Sequence, residues 1–286
     1  MNGILVISKD IGYTSRDVVN SISKIFNTKK VGHTGTLDPL ASGVLIVCVG
    51  KALKICELLN NCDKEYTAGV TLGIATDTLD NDGKVIKECD VHVCDDTIKS
   101  VVNSFLGKYE QVVPMYSAVK VNGRKLYQYA RSGIDIVPPS KEVEIKKIQN
   151  IDKIIHDNGH IYFKLKCTVS KGTYIRSLVR DIGEKLNVPA VMNSLVRDRV
   201  GNFSLADSFS LEDVKCGNFK FVDIMDAFPD IPRMAVNKDT EKKVKNGVVF
   251  TKLFNMDLCF LTDTDGNLLA LYKNVNNECR PYKMFI

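Results

Sequence analysis

One stretch, Gly32–Leu45 (GHTGTLDPLASGVL), gathers an aspartate, a histidine and three hydroxyls, Thr34, Thr36 and Ser42. The Asp38 carboxylate is the group in it that could act as a nucleophile or stabilise developing positive charge. Pro39 pushes Asp38 out of the helical region into an extended conformation. Gly32 and Gly35 permit backbone angles that other residues avoid. Asp-Pro also begins ordinary turns, so the residues alone leave a plain turn open. A GxxG phosphate clamp from Gly32 to Gly35 would need a helix on either side, and a strand follows instead. A polar loop running straight into a rigid apolar strand is where catalytic groups tend to sit.

The elements that must position this loop can be read from the spacing of apolar residues. Gly3–Ser8 reads as a buried strand. A helix follows, capped by Thr14 with Asp17 as capping-box partner, and Val18, Ile22, Ile25 and Phe26 share one face. Thr28–Ser42 reads as a loop, Gly43–Gly50 as an apolar strand and Lys51–Asn60 as a short helix. Tyr66, Ala68, Val70 and Leu72 alternate on one face of a strand. Asp77–Gly83 is turn-rich. Helices are predicted over Asp96–Phe105, with Ile98, Val101, Val102 and Phe105 inward, and over Lys125–Ser132, ended by Gly133. Two strands, Glu142–Ile155 and His160–Ser170, meet at the turn Asp157-Asn158-Gly159. A helix over Tyr174–Asn187 and a strand near Asn193–Val200 follow.

Beyond Phe228 the pattern changes to one short helix (Thr240–Asn246) and short strands, with Asp265-Gly266 as a hairpin turn. The fold class is therefore α+β around a largely antiparallel central sheet, plus a small β-rich C-terminal domain. We place the boundary between residues 1–228 and 229–286. So small a core is marginal alone and should pack against the large domain.

The 286 residues are 44% hydrophobic and 26% charged, which predicts a packed core. The net charge of +5 permits a nucleic-acid partner without requiring one. No apolar run approaches the ~20 residues of a membrane span, and the N-terminus does not read as a secretory signal. Nine cysteines, an odd number without a CxxC, read as small buried hydrophobes in a reduced, cytoplasmic compartment. Cys89, His92 and Cys94 lack a fourth ligand at a zinc-like spacing.

GHTGTLDPLASGVL resembles the defining motif of the TruB family of tRNA pseudouridine-55 synthases. Further segments match in the same order: KEYTAGVTLGIATDTLD (Lys64–Asp80), PMYSAVKVNGRKLYQYARSG (Pro114–Gly133), CTVSKGTYIRSLVRDIG (Cys167–Gly183), LVRDRVGNF (Leu195–Phe203) and a C-terminal RPYKMF. The resemblance covers nearly the whole chain. It implies a pseudouridine synthase fold, a PUA-like RNA-binding module at the C-terminus, and isomerisation of a uridine in the T-arm of tRNA. It further implies a bacterial-type enzyme working as a monomer, with no protein partner and no cofactor. An enzyme guided by a separate RNA and a tRNA-folding chaperone with dispensable catalysis are the competing functions.

By that resemblance Asp38 is the catalytic carboxylate. Arg176 falls in the first turn of a helix, where the dipole disfavours a cation. It should therefore have a compensating partner, and Asp38 is predicted. Tyr66 is implied to lie against the target base, Tyr174 and Leu195 to line its pocket, and His33 to engage the RNA where the base leaves its stack. Lys29, Lys30, Arg124, Lys125, Lys171, Arg180, Arg197 and Arg199 could contact the RNA backbone, with Lys242, Lys243 and Lys245 helping from the small domain. The chain departs from the family at Asp10, where proline is usual, and at Val113. Val196 and Asp198 replace the usual Arg and Thr beside Leu195. This last pair puts some RNA contacts in doubt.

Overall fold

The structure, a computed structural model, describes residues 1–149, 151 and 153–286. Its first strands are β1 (Gly3–Lys9), β2 (Val31–Thr34), β3 (Ala41–Val49), β4 (Lys64–Leu72), β5 (Ile74–Thr76), β6 (Val85–Glu88) and β7 (Gly107–Val112). Then come β8 (Lys120–Val121), β9 (Arg124–Lys125), β10 (Ser140–Ile148), β11 (Ile154–Asp157), β12 (His160–Val169), β13 (Ala190–Val200) and β14 (Phe203–Ser204). The helices are α1 (Ser15–Ile25), α2 (Cys56–Asn60), α3 (Asp95–Asn103), α4 (Leu126–Arg131), α5 (Ile175–Lys185), α6 (Leu211–Lys215) and α7 (Lys238–Lys245).

Ten strands among the described residues form the main sheet, in the order β1-β3-β13-β4-β12-β10-β7, with β2 beside β3, β11 beside β12 and β14 beside β13. Neighbours run antiparallel except β3 and β13, which are parallel. The continuous apolar run of β3 follows from burial on both faces. Leu45, Val47 and Val49 pack with Val18 and Ile22 of α1 and with Leu178 and Ile182 of α5. Val44, Ile46 and Cys48 face the other way, toward Ile55, Leu59 and the C-terminal residues Phe260, Leu271 and Phe285.

Those last residues belong to or adjoin a second sheet, β15 (Arg233–Ala235), β16 (Phe250–Thr251), β17 (Leu258–Thr262), β18 (Leu268–Val275) and β19 (Glu278–Met284), ordered β15-β17-β18-β19-β16. It has a small core of its own, with Val244 of α7 against Cys259 and Tyr272. Its other contacts close the back of the main sheet, as a core of that size demands. No helix among the described residues is long and apolar enough to cross a membrane.

The predicted capping box of α1 is present: Asp17 Oδ2 accepts from Thr14 N at 2.9 Å, and Asp17 N donates to Thr14 Oγ1 at 3.1 Å. Three readings change. Thr28–Ser42 is not all loop, because β2 forms inside it. β13 pairs with β3 only at Ala41–Gly43, which would leave the rest of that edge open, and β2 pairs with it from Ile46 to Val49. Lys51–Asn60 begins as a 3-10 turn over Gly50–Ile55 before α2. Glu142–Ile155 is two strands, β10 and β11. Part of that reading, Asn150 and Asp152, lies outside the described residues.

Candidate active site

The Asp38 loop is held by residues far from it in sequence. Ser15, buried at the start of α1, accepts from Leu37 N at 2.9 Å and donates to Leu37 O at 3.2 Å. Gly12 N donates to Pro39 O at 2.9 Å, and Ala41 N to Asp38 O at 3.0 Å. Gly35 takes φ +65, the left-handed turn that lets the chain leave β2. Gly32 has no such φ; it lies in β2, where a Cβ would come 2.7 Å from Leu53. A loop fixed at both ends presents its carboxylate without rearranging, which is the requirement for preorganised catalysis.

Arg176 meets Asp38 as the helix dipole argument predicted: Nη2 lies 2.9 Å from Asp38 Oδ2. The guanidinium does more than pair. Nη1 donates to Thr78 O at 3.0 Å, Nη2 to Tyr116 O at 3.1 Å, and Nη1 lies 3.4 Å from Asp80 Oδ2. It is 5% exposed, so its charge is shared between two carboxylates and two carbonyls in a low-dielectric setting. Asp80 is a site residue that sequence reasoning missed. Its turn carries Leu79 at φ 66, strained for a bulky side chain and of the kind that gathers at functional sites.

Burial pushes the Asp38 carboxyl above the usual carboxylate range. Arg176 pulls it back, and Asp80 pushes it up again. The Asp38 side chain keeps 38% of its surface open to a cavity of about 970 Å³. Tyr66 and Leu195 form part of its floor, 8% and 7% exposed. Sheet register brings them together: Leu195 pairs with Ala41 on one side and Ala68 on the other, and Tyr66 pairs with Arg197.

Tyr174 lines the cavity at the start of α5. Gln111, fully buried, fixes its backbone from both sides: Oε1 accepts from Tyr174 N at 2.8 Å, and Nε2 donates to Tyr174 O at 3.1 Å. Lys141 Nζ sits 4.7 Å from the centre of the Tyr174 ring. Lys171 lines the mouth, with its Nζ donating to Asn61 Oδ1 at 2.9 Å. Lys64, also missed, is buried in the wall; desolvation, with Arg197 nearby, lowers its pKa to about 8.

Of the expected RNA contacts, Arg197 and Arg180 are engaged within the protein. His33 lies on β2 opposite Val47, outside the cavity lining. Burial, then Arg197 and Arg16, lower its pKa, so the ring is neutral at pH 7. Arg197 is 1% exposed, and its donors go to backbone, Nε to Val44 O at 2.7 Å and Nη2 to Gly35 O at 3.0 Å. It holds the Asp38 loop from beneath and is not a free surface cation. Arg180 is likewise occupied, by Asp181 at 2.6 Å. The added acid Asp198 accepts from Thr67 Oγ1 at 2.7 Å, an internal bond between β13 and β4. Lys29, Lys30, Lys171, Arg199, Lys242, Lys243 and Lys245 are exposed. The arrangement presents a carboxylate, braced by a guanidinium, to a cavity that Tyr66 and Leu195 help line.

Known proteins resemble this chain along nearly its whole length. The model of the TruB family pseudouridylate synthase N-terminal domain matches residues 23–175, and that of the tRNA pseudouridylate synthase B C-terminal domain matches 176–221. The chain is 43% identical to tRNA pseudouridine synthase B of Bacillus licheniformis, covering 95% of this chain and 92% of that one. To the protein of that name from Caldanaerobacter subterraneus it is 39% identical, over 100% and 99%. Among solved structures, a Cbf5-Nop10-Gar1 complex contains a chain 25% identical, with a TM-score of 0.71 over 99% of this chain and 85% of that one. The chain belongs to the TruB family of pseudouridylate synthases.

Proposed function

We propose that this chain isomerises one uridine in the T-loop of tRNA to pseudouridine, with Asp38 as the catalytic carboxylate. The observation that carries the reading is the Asp38–Arg176 pair at 2.9 Å, set in a cavity that Tyr66 and Leu195 help floor. The reaction breaks the C–N glycosidic bond, turns the base and rejoins it through carbon. No atom is lost and no electron is transferred, so the chemistry itself calls for no cofactor. The carboxylate must be ionised to act, and Arg176 favours that form against the desolvation that opposes it.

Reaching a base inside a folded loop requires extruding it, at a cost of a few kcal/mol. Tyr66 and Leu195 receive the ring, and Tyr174 closes one side. Lys171 at the mouth, with the exposed cations Lys29, Lys30 and Arg199, offsets that cost through the RNA backbone. His33 engages the RNA beside the vacated stack. Residues 1–228 are the catalytic domain and 229–286 a PUA-like module, whose Lys242, Lys243 and Lys245 extend the basic surface. The protein works as a monomer in the cytoplasm.

The test is the purified chain with a bare tRNA transcript. One T-loop uridine should convert fully with no other RNA or protein added. Conversion that begins only after a guide RNA is supplied would overturn this reading in favour of a guided enzyme.

A further inference from the structure

The Asp38 cavity contains one buried hydroxyl for which the protein supplies no partner. Ser117 lines the cavity and is 6% exposed, and its Oγ makes no hydrogen bond among the described residues. Buried polar atoms are nearly always paired, and an orphan requires a reason. Backbone bonds hold its segment against the site. Val113 N donates to Pro139 O at 3.0 Å, Tyr127 N to Ser117 O at 3.1 Å, and Leu126 N to Val119 O at 2.8 Å. Arg176, the partner of Asp38, holds the adjoining Tyr116 carbonyl. The residue is thus held at the same site as the carboxylate, one position from a carbonyl that the guanidinium grips.

We propose that Ser117 Oγ hydrogen-bonds the polar edge of the uracil ring, a substrate contact that completes the base pocket. The assignment rests on the function proposed above and follows from sorting the cavity by chemistry. The carboxylate and guanidinium serve the reacting bond. Lys141 and Lys171, as cations, suit phosphates. Tyr66 and Leu195 take the faces of the ring. The carbonyl and imide groups of the ring are neutral, and they call for a neutral donor or acceptor. Ser117 is a hydroxyl of that kind, already desolvated and with its bonding capacity unused.

The experiment compares wild-type protein and Ser117→Ala in single-turnover pseudouridine formation on a tRNA transcript, with thermal unfolding of both free proteins. The expected result is a rate about tenfold lower at unchanged tRNA affinity, with a Tm equal to or above wild type. Removing an orphaned hydroxyl leaves the free protein intact, and the loss appears only with substrate. A wild-type rate for Ser117→Ala would overturn the inference. So would a rate loss accompanied by a Tm several degrees lower, which marks a structural role. If wild-type protein itself forms no pseudouridine, the proposed function falls first.

Discussion

Two buried arginines flank the Asp38 loop, and they do different work. Arg176, in the first turn of α5, faces two carboxylates and two carbonyls. Arg197, near the end of β13, spends its bonds on the carbonyls of Val44 and Gly35. Both are at least 95% removed from solvent, and both line the same cavity. One guanidinium controls the charge of the carboxylate, and the other controls where the loop lies. Burial alone therefore does not distinguish the two cations; the identity of their partners does.

The comparison can be broken most readily at Arg176. Lysine keeps the charge but loses the planar fork that reaches Asp38, Asp80 and two carbonyls together. Arg176→Lys should reduce turnover about a hundredfold with tRNA affinity within about twofold, read by single-turnover rates and filter binding. A large loss of affinity at normal turnover would mean that Arg176 binds RNA and does not serve Asp38.

Arg197→Met should show the reverse order of effects. Two buried carbonyls lose their donor, so stability should fall by about 2–3 kcal/mol in urea unfolding, with activity falling as a consequence of a loosened loop. Normal stability with lost RNA binding would restore the original reading of Arg197 as an RNA contact.

The smallest effect sharpens the electrostatic half. Asp38 has its pKa raised, so the activity that needs its anion should appear as pH rises through a value above the usual carboxylate range. Arg176→Met removes the charge that pulls this pKa down and should shift that acid limb to higher pH. The stability linkage has the opposite sense. The folded state favours protonated Asp38, so this contribution is fully present below the unfolded pKa and is lost as pH rises through the folded one. Asp38→Asn should then leave the Tm at pH 7 unchanged or higher. A clear drop would show that the ion pair outweighs desolvation.

The pairing of Asp38 with Arg176 was legible through the family motif, and two local signals agreed with it, an Asp-Pro break and a cation in the wrong turn of a helix. Asp80 carries none. It lies in the turn-rich DTLDNDG, and only Arg176, distant in sequence, distinguishes it from the other acids there. Ser15 and Gln111 escaped for a related reason. Each satisfies the backbone of a remote segment, and no periodicity records such a debt. β2 forms because a neighbouring edge would otherwise stay unpaired, a demand that exists only once the sheet is assembled. Arg197 was misplaced because a strand end rich in charge resembles a surface. The apolar alternation of β4 and the continuous run of β3 had no such competitor, and both strands appear where the pattern puts them.

The central claim is tested most directly by mapping pseudouridine in tRNA after incubation with wild-type or Asp38→Ala protein. The account predicts one modified T-loop uridine with the wild type and none with the variant, even where the variant still binds and helps fold the tRNA. Pseudouridine at that position made by Asp38→Ala would contradict it.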